Sequence, residues 1–260
     1  MSDKKTASSS ISDNGAAVKP VEGAGENNPR TDELKAAGRS TADELQNQFA
    51  EDGDSPFAWF DALYARAEGA RGFIPWSEAA PRFKLIEWLK EQDATGNGLA
   101  GLRAVDVGCG LGDNARCLKA AGLDVLGFDI SSHAVEWAAR NFGDLGIRFE
   151  VADILHLPTK WHGRFDIVHE TYNLQAMPTE YVEPAIHAIA SLVAPGGRLL
   201  VMTRGRLDHE EVLRPPRPLT LDQLKGFERA GLCQVKLEEF FSEGENPIRH
   251  YLAEYKHAAD

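Results

Sequence analysis

Between Leu102 and Asn114 a short apolar run breaks into alternating glycines, Leu-Arg-Ala-Val-Asp-Val-Gly-Cys-Gly-Leu-Gly-Asp-Asn, and few folds accommodate that pattern. Gly108, Gly110 and Gly112 let the main chain turn sharply and approach a bound molecule more closely than a side chain permits. Residues Asp113 to Ala121 then carry a helical pattern, so the glycines stand at a strand-to-helix junction. Open α/β sheets bind nucleotide-like ligands at such junctions, beyond the carboxyl ends of their strands.

A glycine-rich turn is a weak signal alone, and the second feature needed is an acidic residue about twenty positions on, at the end of the next strand. Leu123 to Ile130 is that strand, and Asp129 stands at its end. The glycine spacing then selects the ligand. A dinucleotide fingerprint needs G-x-G-x-x-G or G-x-G-x-x-A, with the helix N-terminus free for a pyrophosphate. Here the corresponding position holds Asp113, whose carboxylate repels that group. A cofactor without phosphates, carrying a sulfonium and an amino-acid tail, meets no such conflict.

At these residues the chain resembles the class I S-adenosylmethionine-dependent methyltransferases. Their first motif, D-x-G-x-G-x-G, is matched by Asp106, Gly108, Gly110 and Gly112, and their second acidic position by Asp129. The resemblance implies S-adenosyl-L-methionine as cofactor. It also implies an α/β, Rossmann-like, doubly wound seven-stranded sheet of order 3-2-1-4-5-7-6, with the last strand antiparallel and an N-terminal helical lid. Carried onto this chain, the cofactor-binding positions are Asp106, Gly108, Cys109, Gly110, Gly112, Asp129, Ile130, Asp153, Ile154 and His169. Asp153, at the end of the third strand (Ile147 to Ala152), takes the role of reaching the adenine amino group.

The fourth strand, Phe165 to Val168, runs into His169-Glu170-Thr171-Tyr172-Asn173-Leu174-Gln175, the most informative polar cluster of the chain. In the family this segment faces the methyl acceptor. His169, Glu170 and Tyr172 are therefore the catalytic candidates for contacting or deprotonating it. His169 and Glu170 with His156 and His162 also raise the question of metal. Adjacent residues on an extended backbone point to opposite sides and the spacings match no metal motif, so no metal is expected. Pro75-Trp76, in a loop before a helix and the first motif, resembles the thiopurine, thiol and halide methyltransferase group. That likeness makes Trp76 and Tyr172 the candidate substrate-binding residues.

Upstream, residues 1–54 are rich in Ser, Ala, Gly, Asn and charge and are expected to form a disordered tail. Within it a helix is suggested after Ser40, with Ser40 as N-cap and Asp43 three residues on. By the same resemblance, residues 55–260 are expected to form the methyltransferase domain. It opens with Ser55-Pro56, followed by a helix bearing Phe57, Phe60, Leu63 and Tyr64, and a second helix from about Arg82 to Gln92 presents Phe83, Ile86 and Leu89 on one face. Ser131 caps the helix after the second strand, Thr220 with Gln223 forms a capping box, and Gly231 ends that helix. Beyond the fifth strand, Arg198 to Thr203, a long polar loop carries Arg204, Arg206, Arg214 and Arg217, read as solvated or as lining an anion pocket. Two final strands, about Cys233 to Phe241 and Ile248 to Tyr255, complete the sheet.

The net charge of −12 argues against a nucleic-acid partner held through phosphates. No segment has the roughly 18 apolar residues of a membrane span, and the N-terminus lacks a secretory apolar core, so a cytoplasmic protein is expected. Cys109, Cys117 and Cys233 lack metal or redox spacing and read as reduced thiols, Cys109 packing under the cofactor. The leading expectation is a methyltransferase acting on a small molecule, with a thiol or similar soft nucleophile as acceptor, as monomer or weak homodimer. The alternatives are an O- or N-methyltransferase of a metabolite, a nucleotide-dependent dehydrogenase and a non-catalytic cofactor-binding regulator.

Overall fold

The apolar runs of the sequence become the strands of one sheet with helices packed on both faces. The computed structural model describes residues 29–52, 55–78, 82–96, 98–212 and 214–258. Helix α1 (Pro29–Asp52) is followed by α2 (Ala58–Arg66), a single helical turn at Arg71–Phe73, and α3 (Phe83–Ala94). The alternating core then runs β1 (Arg103–Val107), α4 (Asp113–Ala120), β2 (Asp124–Asp129), α5 (Ser132–Phe142), β3 (Arg148–Val151), β4 (Phe165–Thr171), α6 (Thr179–Ser191) and β5 (Val193–Arg204). Two short helices, α7 (Leu221–Leu224) and α8 (Gly226–Arg229), lead to the hairpin β6 (Leu232–Phe241) and β7 (Arg249–His257).

The strand order is β3-β2-β1-β4-β5-β7-β6, as the family resemblance implied. The first five strands pair in parallel, and β7 runs antiparallel to both β5 and β6. The central strands β1, β2, β4 and β5 are buried on both faces, because parallel sheets of this kind are covered on both sides, whereas the edge strands β3 and β6 are largely exposed or half-buried. Val105, Val168, Leu199 and Tyr255 meet α6 and α8 through Ile186 and Phe227. On the other face Ala104, Ile167, Leu200 and Leu252 meet Leu85 and Trp88 of α3 and Leu118 of α4.

Several local expectations hold. The Ser131 hydroxyl accepts from the Ala134 amide at 3.1 Å, and Thr220 and Gln223 close a reciprocal capping box ahead of α7. Gly231 ends α8 with φ +95°, a conformation that side-chain-bearing residues rarely adopt. The buried face of α3 differs from expectation: Leu85, Trp88 and Leu89 are buried, whereas Phe83 is 54% exposed and stacks edge-on against Phe240 of β6. Four-residue spacing along a helix admits two overlapping apolar stripes, and the sheet selected the one that carries the tryptophan.

The N-terminal region is the main departure. Residues Pro29–Asp52, assigned above to a disordered tail, form a helix of 24 residues. Ser40 lies inside it rather than capping it, with its hydroxyl 3.4 Å from Glu44 Oε1. The rest of the proposed tail, residues 1–28 and 53–54, lies outside the described residues. Helix α1 holds its place through tertiary packing: Ala42 and Leu45 pack with Trp59, Leu63, Tyr64 and Ile74 against Leu111 and Ala134 of the core. At Gly38 a Cβ would stand 1.8 Å from the Phe73 carbonyl oxygen, so only glycine lets α1 cross the Arg71–Phe73 turn this closely. Asp61 of α2 ties this lid to the sheet domain, its Oδ1 accepting from the Ser131 hydroxyl at 2.7 Å and from the His133 amide at 3.1 Å.

Candidate active site

A cavity of about 920 Å³ opens between the carboxyl ends of the strands and the lid. Its floor is the glycine turn. Gly108 and Gly110 have φ +57° and +52°, and the Asn173 side chain lies where a Gly108 Cβ would be, donating from Nδ2 to the Val107 carbonyl at 2.8 Å. The Tyr64 hydroxyl sits against Gly110 and accepts from Trp76 Nε1 at 2.9 Å. Beneath the turn, Asp129 accepts from the Gly110 amide through one oxygen and from the Ser131 amide through the other, both at 2.9 Å. Burial outweighs those two bonds and pushes its carboxyl up to about 6.

Asp113, used above to argue against a pyrophosphate, stands at the start of α4 and takes a bidentate ion pair from Arg71 at 3.1 and 2.5 Å. Burial raises its carboxyl, and the guanidinium opposes that effect. The pair joins the lid turn to the glycine turn. Further along the wall, Asp153 accepts from the Leu155 amide at 2.9 Å and meets His156 Nδ1 at 2.7 Å.

Of the predicted cofactor positions, Gly108, Cys109, Gly110, Asp129, Ile130, Asp153 and Ile154 line the cavity. So do Trp76 and Tyr172, the predicted substrate walls. Gly112, Asp106, His169 and Glu170 do not. Gly112 supports the turn from behind, against Phe142 and Phe149. Cys109 is buried, and burial raises its thiol well above the usual range, which suits a packing residue rather than a nucleophile.

His169 and Glu170 lie on opposite faces of β4, and each is at most 1% exposed. Glu170 Oε1 accepts from the amides of Asn173 and Leu174 at 2.7 and 3.3 Å and so closes the bend that follows β4. Burial pushes its carboxyl up to about 7. His169 Nδ1 meets Asp106 Oδ1 at 2.8 Å, and its Nε2 meets Thr171 Oγ1 at 2.8 Å. An ionised Asp106 could only accept, which makes Nδ1 the donor of that bond; a neutral imidazole then accepts from the threonine hydroxyl at Nε2. Thr171 lines the cavity. His169 and Glu170 thus do not reach the cavity directly; on the His169 side a hydroxyl stands at the wall with an imidazole and a carboxylate behind it. Thr171 was not singled out in the sequence, although alternation along β4 places it on the His169 face, at the last residue of the strand.

Tyr172 follows with φ +66°, which turns its ring out of the sheet. It lies between the Arg82 guanidinium, 4.7 Å from the ring centroid, and the His250 imidazole, 5.8 Å away. Burial raises its phenol, and Arg82 opposes that shift. Of the four loop arginines singled out above, Arg204 lines the cavity. Arg206 donates to the Pro218 and Glu210 carbonyls and Arg217 to the Met177 carbonyl, which fixes the loop. Among the described residues no three His, Cys, Asp or Glu side chains converge as metal ligands, and no helix is long and apolar enough to cross a membrane.

Known proteins share both the sequence pattern and the fold of this chain. A family model described as a methyltransferase domain matches residues 104–197. The ubiquinone biosynthesis O-methyltransferase of Ralstonia nicotianae is 31% identical over 199 residues, covering 64% of this chain and 78% of that protein. That of Bordetella avium is 31% identical over 146 residues, 54% of this chain, and the match spans 58% of its length. Among solved structures, a 1,6-didemethyltoxoflavin-N1-methyltransferase of Burkholderia thailandensis with bound S-adenosylhomocysteine has a TM-score of 0.59 at 16% identity. It covers 78% of this chain and 91% of its own. At that identity the likeness concerns the fold.

Proposed function

This chain belongs to the class I S-adenosylmethionine-dependent methyltransferases, and we propose that it methylates an oxygen atom of a small organic acceptor. The glycine turn, the Asp129 carboxylate and the Asp153-Ile154 wall fit the cofactor: close backbone approach for the amino-acid tail, an acceptor for ribose hydroxyls and a flat apolar edge for adenine. When bound, S-adenosylmethionine supplies a methyl carbon made electrophilic by the adjacent sulfonium. The protein then has to align the acceptor, exclude water and remove a proton.

The observation that carries the oxygen reading is the line Asp106–His169–Thr171. A hydroxyl acceptor must lose its proton as the new bond forms. Thr171 Oγ1 takes that proton while its own passes to His169 Nε2, and the imidazolium so formed is held by Asp106 Oδ1. A thiol, with a reference pKa of about 8.5, needs little such help. Relatives named as O-methyltransferases support the same choice over the soft nucleophile expected from Pro75-Trp76.

The test is transfer of labelled methyl from S-adenosylmethionine to a panel of phenols, thiols and amines, with Thr171→Val as the comparison. Phenols should be methylated, and the valine variant should lower their kcat about 100-fold while any thiol turnover changes little. Turnover of thiols alone, or a valine variant as fast as the parent on phenols, defeats the proposal.

A further inference from the structure

Arg204 and His250 are opposed residues of the β5–β7 pairing, on the same sheet face as Thr171, and all three line the cavity. Two cationic groups placed opposite each other across a ladder destabilise it unless something of the other sign lies between them or one stays neutral. Burial lowers His250, and Arg204 and Arg82 lower it further, so the imidazole is held neutral. The guanidinium of Arg204 has no carboxylate partner among the described residues. Arg82, also in the wall, pairs with Glu78, whose side chain is 56% exposed.

The groups facing this end of the cavity are thus Arg82, Arg204, His250, Tyr172 and the solvent-facing Glu78. Their balance is positive in a chain whose net charge is −12. A half-buried, uncompensated guanidinium in a low-dielectric recess is a fork suited to a planar anion, which it binds in two-pronged fashion. Tyr172 brings an aromatic ring to the same place, and His250 is backed by Phe240, stacked on it at 5.1 Å.

We propose that the acceptor is an aromatic anion, its carboxylate held by Arg204 beside His250 and its ring on Tyr172, with the reacting atom directed at Thr171. The inference rests on the cavity being a methyl-acceptor site but not on which atom is methylated.

The experiment needs no turnover. The protein saturated with S-adenosylhomocysteine is titrated calorimetrically with 4-hydroxybenzoate and, separately, with 4-hydroxybenzyl alcohol. The carboxylate should bind at least about 10-fold more tightly. Arg204→Ala should abolish that preference and leave S-adenosylhomocysteine affinity unchanged, Arg204→Lys should restore part of it, and added salt should reduce it. In the same complex the His250 proton resonance should titrate at higher pH once benzoate is bound, because an anion offsets the guanidinium. Equal affinity for the two probes, a preference that survives Arg204→Ala, or no saturable binding of the carboxylate overturns the proposal. Failure of phenol methylation with the preference intact defeats the oxygen reading alone.

Discussion

His169 stands opposite Asp106 across the β1–β4 pairing, and the imidazole Nδ1 donates to the carboxylate through 2.8 Å in a site closed to solvent. One residue belongs to the glycine motif and the other to the acceptor segment, so a single hydrogen bond joins the cofactor half of the site to the chemical half. Asp106→Asn and His169→Gln should therefore act on kcat, lowering it about 100-fold or more with a phenol acceptor. The asparagine variant should also change the pH profile of kcat, because the tautomer of His169 is no longer imposed by a charge. Steady-state kinetics from pH 6 to 9 make the check, and equal losses at every pH would reduce the pair to a packing role.

Asp129 is expected to dominate cofactor affinity. Asp129→Ala should weaken S-adenosylhomocysteine binding at least about 100-fold in calorimetry. Burial sets the parent carboxyl near 6, and only the ionised form accepts from ribose hydroxyls at both oxygens, so affinity should rise with pH through about 6 and level off above it. Unchanged affinity in the variant would remove Asp129 from the site.

Glu170 links burial to pH-dependent stability. Its folded pKa, about 7, lies above the reference value of 4.5. Between those values the folded state holds a proton that the unfolded chain has released, so stability falls as pH rises from about 4.5 to 7 and is flat above. Glu170→Gln keeps a neutral acceptor for the Asn173 amide and should abolish that component. Tm measured at pH 5 and at pH 8 should then differ less in the variant than in the parent.

Gly38 tests the lid. Its α-carbon hydrogen faces the Phe73 carbonyl at a distance that no Cβ tolerates. Gly38→Ala should lift α1 off the Arg71–Phe73 turn at a cost of about 1–3 kcal/mol, even though alanine is the better helix former. Hydrogen exchange should accelerate along α1 while the amides of β1 and β4 stay protected.

The glycine turn, Asp129 at the end of the second strand and the caps at Ser131 and Thr220 were readable because each rests on local chemistry or on a repeating pattern, whereas the strand order came from the family resemblance. Helix α1 was hidden because its composition is polar and few of its residues are buried; its order comes from Trp59, Leu63 and Ile74, more than ten residues away in the chain. The burial of His169 and Glu170 behind the cavity wall was not readable for a related reason. In a sheet covered on both faces, alternation says which residues share a side but not which side meets the ligand. That depends on where the strand ends, and β4 ends at Thr171, two residues past His169. Arg204 was visible as a charge, but its place opposite His250 depends on the register of a hairpin strand more than forty residues downstream.

The lid's aromatic packing also has an optical consequence. Of the five tryptophans, Trp59 and Trp76 stand in the lid with their rings 6.0 Å apart, and the Trp76 indole N–H is bonded to the tyrosine that rests on Gly110. A molecule settling on the glycine turn should disturb that tyrosine and change the polarity around Trp76. The protein would thus carry its own fluorophore in the wall of the cavity, with emission that should report occupancy without a label or a known acceptor.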